Sequence, residues 1–341
     1  MERLIIMDRN ENNYGPAPKC HEVIQNITME YFYTYSRDYP RRIKSRIAEQ
    51  YGLSQDEVAI GYGAEDLLKQ AIYWASEPGC SIAVPNMSWW YYKHIVSEVG
   101  GRLLEYHMVE TEDSWDFDDE EVISILKQKP AVFIVASPNN PTGNFLHPER
   151  LRHYLAHKDP ATLFILDEAY AGFGAPSFPE HEVRTHERLI VLRTLSKYYA
   201  LAGLRIGFAF LGRGMEQYAT YNGKYLGFNR LSEEMLFAAL DEESEGYYRE
   251  NADMIIEDGQ MLVRELRAMG FKAYGSCANF ILAKLPADTF ELLKEKMLIH
   301  GIVIKFFTED IFENCIRITI GTREQNELLV SIMKQLLEER N

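Results

Sequence analysis

A chain of 341 residues, 46% hydrophobic and 26% charged, has the length for one large and one smaller globular domain rather than a single minimal core. Its net charge of −15 argues against nucleic acid or an anionic membrane surface as the main partner. No apolar run approaches the ~20 residues of a membrane-spanning helix, so no membrane span is expected.

The first residues, Met1 to Asp8, lack the long apolar stretch of a secretory leader. Cys20, Cys80, Cys277 and Cys315 share no spacing, which predicts neither a disulfide framework nor a zinc site and points to a reducing cytoplasm. His153 and His157 stand four apart on a predicted surface helix without a further ligand, so no metal site is expected.

Further along, Gly61-Tyr62-Gly63-Ala64-Glu65-Asp66 precedes an apolar-periodic helix from Leu67 to Trp74. Two glycines before a helix start let backbone N–H groups approach a phosphate. The turn is not the dinucleotide fingerprint, because a third glycine and a preceding apolar strand are missing.

Short apolar runs then recur between helical patterns: Ser81–Val84, Ala131–Val135, Leu163–Leu166, Leu189–Leu192 and Phe208–Phe210. Near-continuous apolar strands of this kind predict a mostly parallel α/β sheet covered on both faces. Ligands of such sheets sit beyond the C-terminal ends of the strands.

Three of these ends carry chemistry. After Val135 comes Ala136-Ser137-Pro138-Asn139-Asn140-Pro141-Thr142-Gly143, stiffened by two prolines, with Asn140 able to offer an amide to a ligand oxygen. After Leu166 comes Asp167-Glu168-Ala169-Tyr170. Asp167 is either a helix N-cap or a carboxylate that needs a cation, such as a pyridinium N–H. After Leu192 comes the stretch Thr194 to Gly207, with Lys197 among hydroxyls and Arg205 eight residues on. As a surface loop this lysine would be unremarkable. Buried, it is costly unless neutralised or capped, and an aldehyde cofactor caps it as a Schiff base. Thr194, Ser196 and Arg205 can then hold that cofactor's phosphate.

From about residue 235 the texture changes to a long charged helix over Glu245–Met269, an apolar segment Ala278–Ala283 and a helix over Asp288–His300. Strands over Ile302–Ile304 and Cys315–Ile320 and a helix over Arg323–Glu338 complete a smaller α+β domain. Arg317 sits alone in its apolar strand, facing either a substrate carboxylate or a buried acidic partner. The domains expected are therefore an N-terminal segment 1–30 packing on the small domain, a large domain 31–234 and a small domain 235–341.

Together these motifs resemble the aspartate-aminotransferase fold family of pyridoxal-phosphate (PLP) enzymes, fold type I and class I/II, and within it the histidinol-phosphate aminotransferase branch. The likeness also rests on Asn10–Pro16, Arg37-Asp38-Tyr39-Pro40, Ala278-Asn279-Phe280 and Arg317–Gly321, in family order along almost the whole chain. The resemblance implies a seven-stranded, mostly parallel large-domain sheet and amino transfer between an amino acid or amino phosphate and an oxo acid, as in amino-acid biosynthesis. It equally allows a decarboxylase, lyase or cyclase of the threonine-phosphate decarboxylase type.

By the same resemblance Lys197 would carry the Schiff base and move the proton, Asp167 would pair with the pyridine nitrogen, and Asn140 and Tyr170 would hold the phenolic oxygen. The phosphate would rest on the backbone of Ala64 and Glu65, on Thr194 and Ser196, and on Arg205. Tyr39 would reach the cofactor of a neighbouring subunit, making a homodimer part of the site. Arg317 would clamp a substrate carboxylate, and Tyr14 would line the substrate's distal end. Two departures stand out. The aromatic that stacks on the ring is Trp89 by counting from Gly79, but counting from Pro85 alone gives Met87. Lys305 stands where the branch has a phosphate-binding arginine, and lysine keeps the charge but loses the planar fork.

Overall fold

The computed structural model describes residues 4–38, 40–223 and 229–339. In chain order its strands are β1 (Ile5–Met7), β2 (Val58–Gly61), β3 (Ser81–Pro85), β4 (Arg102–Tyr106), β5 (Met108–Glu110), β6 (Trp115–Phe117) and β7 (Val132–Ala136). There follow β8 (Leu163–Asp167), β9 (Leu189–Thr194), β10 (Gly207–Leu211), β11 (Lys272–Ala273), β12 (Phe280–Lys284), β13 (Ile302–Phe306) and β14 (Cys315–Thr319).

Seven of these form one sheet in the order β2-β10-β9-β8-β7-β3-β4. Its strands are parallel except β10, which runs antiparallel to both β9 and β2. Alternate residues enter two cores. Phe133, Val135, Leu166 and Val191 pack on one face, and Ile134, Ile165, Ile190 and Leu192 on the other. Burial on both faces is why these strands read as unbroken apolar runs. The chain is thus α/β of the fold expected.

A second, five-stranded sheet has the order β1-β13-β14-β12-β11. β1 joins its edge in parallel with β13, pairing Ile5 with Ile302 and Met7 with Ile304. The helices Glu242–Ala268 and Arg323–Glu338 cover this sheet, with Ile255, Leu262, Leu329 and Met333 packed against Ile281, Ile316 and Ile318. Because β1 belongs here, the residues after it, Asp8 to Asn10, pass directly across to the large sheet.

Several boundaries differ from the sequence reading. An apolar strand does precede Gly61: β2 is fully buried and pairs antiparallel with β10, but three apolar residues after Glu57 are too few to announce it. The helix behind the glycine turn runs Ala64–Ala75, starting earlier than its first leucine because Gly63, at φ 85°, caps it. The long helix starts at Glu242, where Asp241 accepts the Glu243 N–H. The helix expected to reach His300 ends at Lys296. β4 escaped notice because it is an edge strand, largely exposed and without an apolar run.

One close approach holds the sheet edge to the glycine turn. A Cβ on Gly207 would lie 2.3 Å from the Gly63 carbonyl carbon and 2.6 Å from the Ala64 nitrogen, both backbone atoms that cannot move aside. Gly207→Ala is expected to destabilise the fold by about 2 kcal/mol or more, measured as a lower midpoint of denaturant unfolding with an unchanged slope.

Candidate active site

Because β7, β8 and β9 are parallel, Ala136, Asp167 and Thr194 end at one edge of the sheet; β2, running the same way, ends there at Gly61, and antiparallel β10 begins there at Gly207. A cavity of about 870 Å³ opens there and reaches across to β13 and β14 of the second sheet. It is lined by twelve of the expected residues: Ala64, Glu65, Trp89, Asn140, Asp167 and Tyr170, with Thr194, Ser196, Lys197, Arg205, Lys305 and Arg317.

At one end the first turn of the helix Ala64–Ala75 presents backbone N–H groups that have no partner within the helix. Thr194 Oγ1 and Ser196 Oγ stand 2.9 Å apart beside it. Arg205, in the left-handed region at φ 52°, lays its guanidinium against Gly63, where an added Cβ would come within 3.0 Å of Nη2. Among the described residues its one carboxylate contact is a loose 3.4 Å one to Glu65, both groups half exposed. This donor set suits a phosphate.

At the floor lies Asp167, 7% exposed. Tyr92 O–H donates to its Oδ2 at 2.6 Å and Ala169 N–H to its Oδ1 at 3.0 Å. Burial raises its pKa, and those two hydrogen bonds pull the other way. A turn and not a helix begins directly after Asp167, so it is not an N-cap. No lysine or arginine forms an ion pair with it among the described residues. A buried carboxylate held only by neutral donors is the complement of a protonated ring nitrogen.

Lys197 lies between these ends. Its Nζ donates to the Arg9 carbonyl at 2.9 Å and stands 5.7 Å from the Tyr170 ring centroid. Burial first, then the charges of Arg317 and Arg205, lower its pKa from 10.5 to about 8, with Glu11 opposing. Tyr170 accepts from Asn10 Nδ2 at 2.8 Å. Burial raises the Tyr170 pKa, and Arg317 works against that rise.

Arg317 donates through Nη1 to Asn140 Oδ1 and through Nη2 to the Asp8 carbonyl, each at 2.6 Å, while its buried Nε has no partner. No carboxylate forms an ion pair with it among the described residues, although the charge of Asp8 opposes the lowering of its pKa. Burial lowers its pKa. Lys305 is its cross-strand neighbour on β13, and the two cations face the cavity side by side.

Trp89 lines the cavity together with Trp90 and Tyr92, and packs edge-on against Tyr92 at 5.7 Å. Met87 lies in the core beneath, its carbonyl taken by Asn139. Tyr14 is not brought to the cavity: it packs on the core of the second sheet, and its carbonyl accepts from Tyr247. The motif around Tyr14 forms a turn with no regular period, so its sequence could not show which way that side chain faces. Tyr39 lies outside the described residues.

Four participants went unassigned in the sequence. Tyr92 grips Asp167, and Asn10, Asp8 and Arg9 bring the N-terminal segment onto Tyr170, Arg317 and Lys197. Only Asn10 carried a signal, as the head of the Asn10–Pro16 motif.

The profile of the aminotransferase class I and II family matches residues 2–333, and the chain belongs to that family. It is a pyridoxal-phosphate-dependent aminotransferase of fold type I. Among its relatives is a histidinol-phosphate aminotransferase of Clostridium beijerinckii, 29% identical over 340 residues covering 98% of this chain and 91% of that protein. Another from Pseudomonas putida is 29% identical over 339 residues, covering 98% and 93%. The histidinol-phosphate aminotransferase of Sinorhizobium meliloti, solved in complex with pyridoxal-5'-phosphate, superposes with a TM-score of 0.89 at 25% identity, covering 99% of this chain and 92% of that one. A decarboxylase from Sulfurospirillum multivorans shares the fold, with a TM-score of 0.80 at 22% identity over 98% and 96% of the two chains.

The charges around Lys197 give opposite expectations for two substitutions. The neutral amine is the nucleophile, so capture of an aldehyde by the cofactor-free protein should rise with pH through about 8 and level off. Arg317→Leu removes a like charge and should move that midpoint up, whereas Glu11→Gln should move it down. Coincident pH–rate curves for all three proteins would refute the account of the lysine.

Proposed function

We propose that this aminotransferase works on an amino donor carrying an anionic group, a carboxylate or a phosphate, with an oxo acid as acceptor, as in its histidinol-phosphate relatives. The observation that supports this is the pair Arg317 and Lys305, adjacent across β13 and β14 at the cavity wall and without carboxylate partners among the described residues. Two unpaired cations facing one space repel each other unless an anion sits between or beside them. Arg317 offers the planar fork for a carboxylate and Lys305 a single mobile charge for a second oxyanion.

Bound pyridoxal phosphate supplies a carbonyl that captures the amine and a ring that accepts the electron pair of the carbon losing its proton. The proposed work of the protein is then divided as follows. The helix Ala64–Ala75, Thr194, Ser196 and Arg205 bind the phosphate. Asp167, whose anion Tyr92 and the Ala169 N–H stabilise against the effect of burial, would hold a proton on the ring nitrogen. Asn140 and Tyr170 orient the phenolic edge, and Trp89 covers a ring face and excludes water. Lys197 Nζ, with a pKa of about 8, is neutral often enough near that pH to take a proton from the reacting carbon and return it.

We also propose a homodimer in a reducing cytoplasm. Met29, Phe32, Tyr33 and Tyr35 are each at least 64% exposed over one short segment, more apolar surface than a monomer leaves in water without reason. The four cysteines are all free. Among the described residues no helix is long and apolar enough to cross a membrane.

Lys197→Ala should lose amino transfer by several orders of magnitude while keeping its thermal unfolding midpoint. Release of carbon dioxide from an amino acid without amino transfer by the wild-type protein would overturn the reading. Light scattering should give twice the mass of the 39.5 kDa chain, and Phe32→Asp combined with Tyr33→Asp should shift it toward the monomer.

A further inference from the structure

We infer that Asn10 is a positioning residue that commits the hydroxyl proton of Tyr170 to the cavity. The inference rests on the reading above in which Tyr170 donates to the cofactor's phenolic oxygen.

Asn10 is 1% exposed and adopts φ 54°, a left-handed conformation that asparagine tolerates better than most residues. Four hydrogen bonds fix it. Its backbone N–H donates to Thr319 Oγ1 at 2.9 Å, and its carbonyl accepts from Asn279 Nδ2 at 3.0 Å. Since Thr319 Oγ1 is the acceptor of that N–H, its own proton is free for the Asn10 side-chain oxygen, 3.4 Å away. The amide oxygen is thereby turned toward Thr319, which leaves Nδ2 facing the Tyr170 hydroxyl at 2.8 Å.

An amide NH₂ can only donate. The phenol oxygen therefore accepts on the Asn10 side, and its single proton must point another way. The other side is the cavity that Tyr170 lines. Accepting one hydrogen bond also makes the hydroxyl a better donor of the next. The charged groups facing Tyr170 are Arg317, which favours loss of its proton, Asp167, which opposes it, and Lys197, whose Nζ lies over the ring. None of them accepts the phenolic proton, and Phe280 covers the ring edge-on at 5.0 Å. Asn10 thus sets which way the hydroxyl points.

The device spans the two sheets. Thr319 ends β14 and Asn279 precedes β12, both in the five-stranded sheet, while Tyr170 follows β8 in the large one. The direction of a hydroxyl in one unit is set by a side chain anchored on the other.

The test compares cofactor-loaded wild type, Asn10→Gly and Asn10→Asp, each with and without Tyr170→Phe, by titrating the absorbance of the bound cofactor against pH. Asn10→Gly suits the left-handed φ, keeps both backbone hydrogen bonds and deletes only the amide. Asn10→Asp keeps the shape but accepts where the amide donated, drawing the phenolic proton away from the cavity. A hydrogen bond donated to the phenolic oxygen holds that oxygen anionic, so weakening it makes the bound group keep its proton to higher pH. The midpoint should rise slightly for Asn10→Gly and by roughly half to one pH unit for Asn10→Asp. In the Tyr170→Phe background Asn10→Gly should have no effect, and Asp should retain only the part due to its charge. Midpoints equal to wild type, or shifts of the same size in both backgrounds, would overturn the role of Asn10. A wild-type protein with no pH-dependent cofactor band at all would instead remove the reading on which it rests.

Discussion

The placing of one half-buried lysine among cations is the constraint around which this protein is organised. Lys197 has Arg317 and Arg205 for neighbours and, among the described residues, Glu11 to offset them, and its pKa falls to about 8. An ammonium in that setting is destabilised by desolvation and by like charge together. The same setting favours a neutral amine, which is the form able to bond to a carbonyl carbon or take up a proton. The stability given up by placing three basic groups around one cavity is thus converted into reactivity at one nitrogen.

The cavity separates its charges by function. The cations Arg205, Arg317 and Lys305 stand at the walls, and the single buried carboxylate, Asp167, lies at the floor with no basic partner among the described residues. In a site already complete as a set of ion pairs, these groups would neutralise one another and leave nothing for a ligand to satisfy. Instead Arg317 is held by a side-chain amide and a backbone carbonyl, and Asp167 by a phenol and a backbone N–H. Neutral hydrogen bonds keep each charge in place without cancelling it. That arrangement accommodates a dipolar, phosphate-bearing ring and an anionic substrate at once.

The N-terminal strap is what makes the two sheets one site. β1 anchors it in the five-stranded sheet, and Asp8, Arg9 and Asn10 then contact Arg317, Lys197 and Tyr170 in turn. Two of these contacts use backbone carbonyls, so they depend on the path of the chain more than on residue type. The segment thus ties the smaller sheet to three side chains that line the cavity.

Much of this was legible in the linear chain, for reasons of local physics. Buried parallel strands must be continuously apolar, so β3, β7, β8, β9 and β10 announced themselves, and the turns after them carried Asn140, Asp167, Tyr170 and Lys197 in the only places where polar groups fit beyond a buried strand. Arg317 was conspicuous because a cation in an apolar strand demands an explanation. What the chain could not show is anything that depends on which distant groups meet. The grip of Tyr92 on Asp167, the placing of Trp89 but not Met87 at the cavity and the withdrawal of Tyr14 from it follow from side-chain direction, which a one-residue change of register reverses. The contact of Asn10 with Tyr170 joins positions 160 apart, through a segment whose short strand carries almost no periodicity. Local pattern determined the elements and their chemical cargo; long-range packing decided which of those groups share a hydrogen bond, and so which atoms can act together.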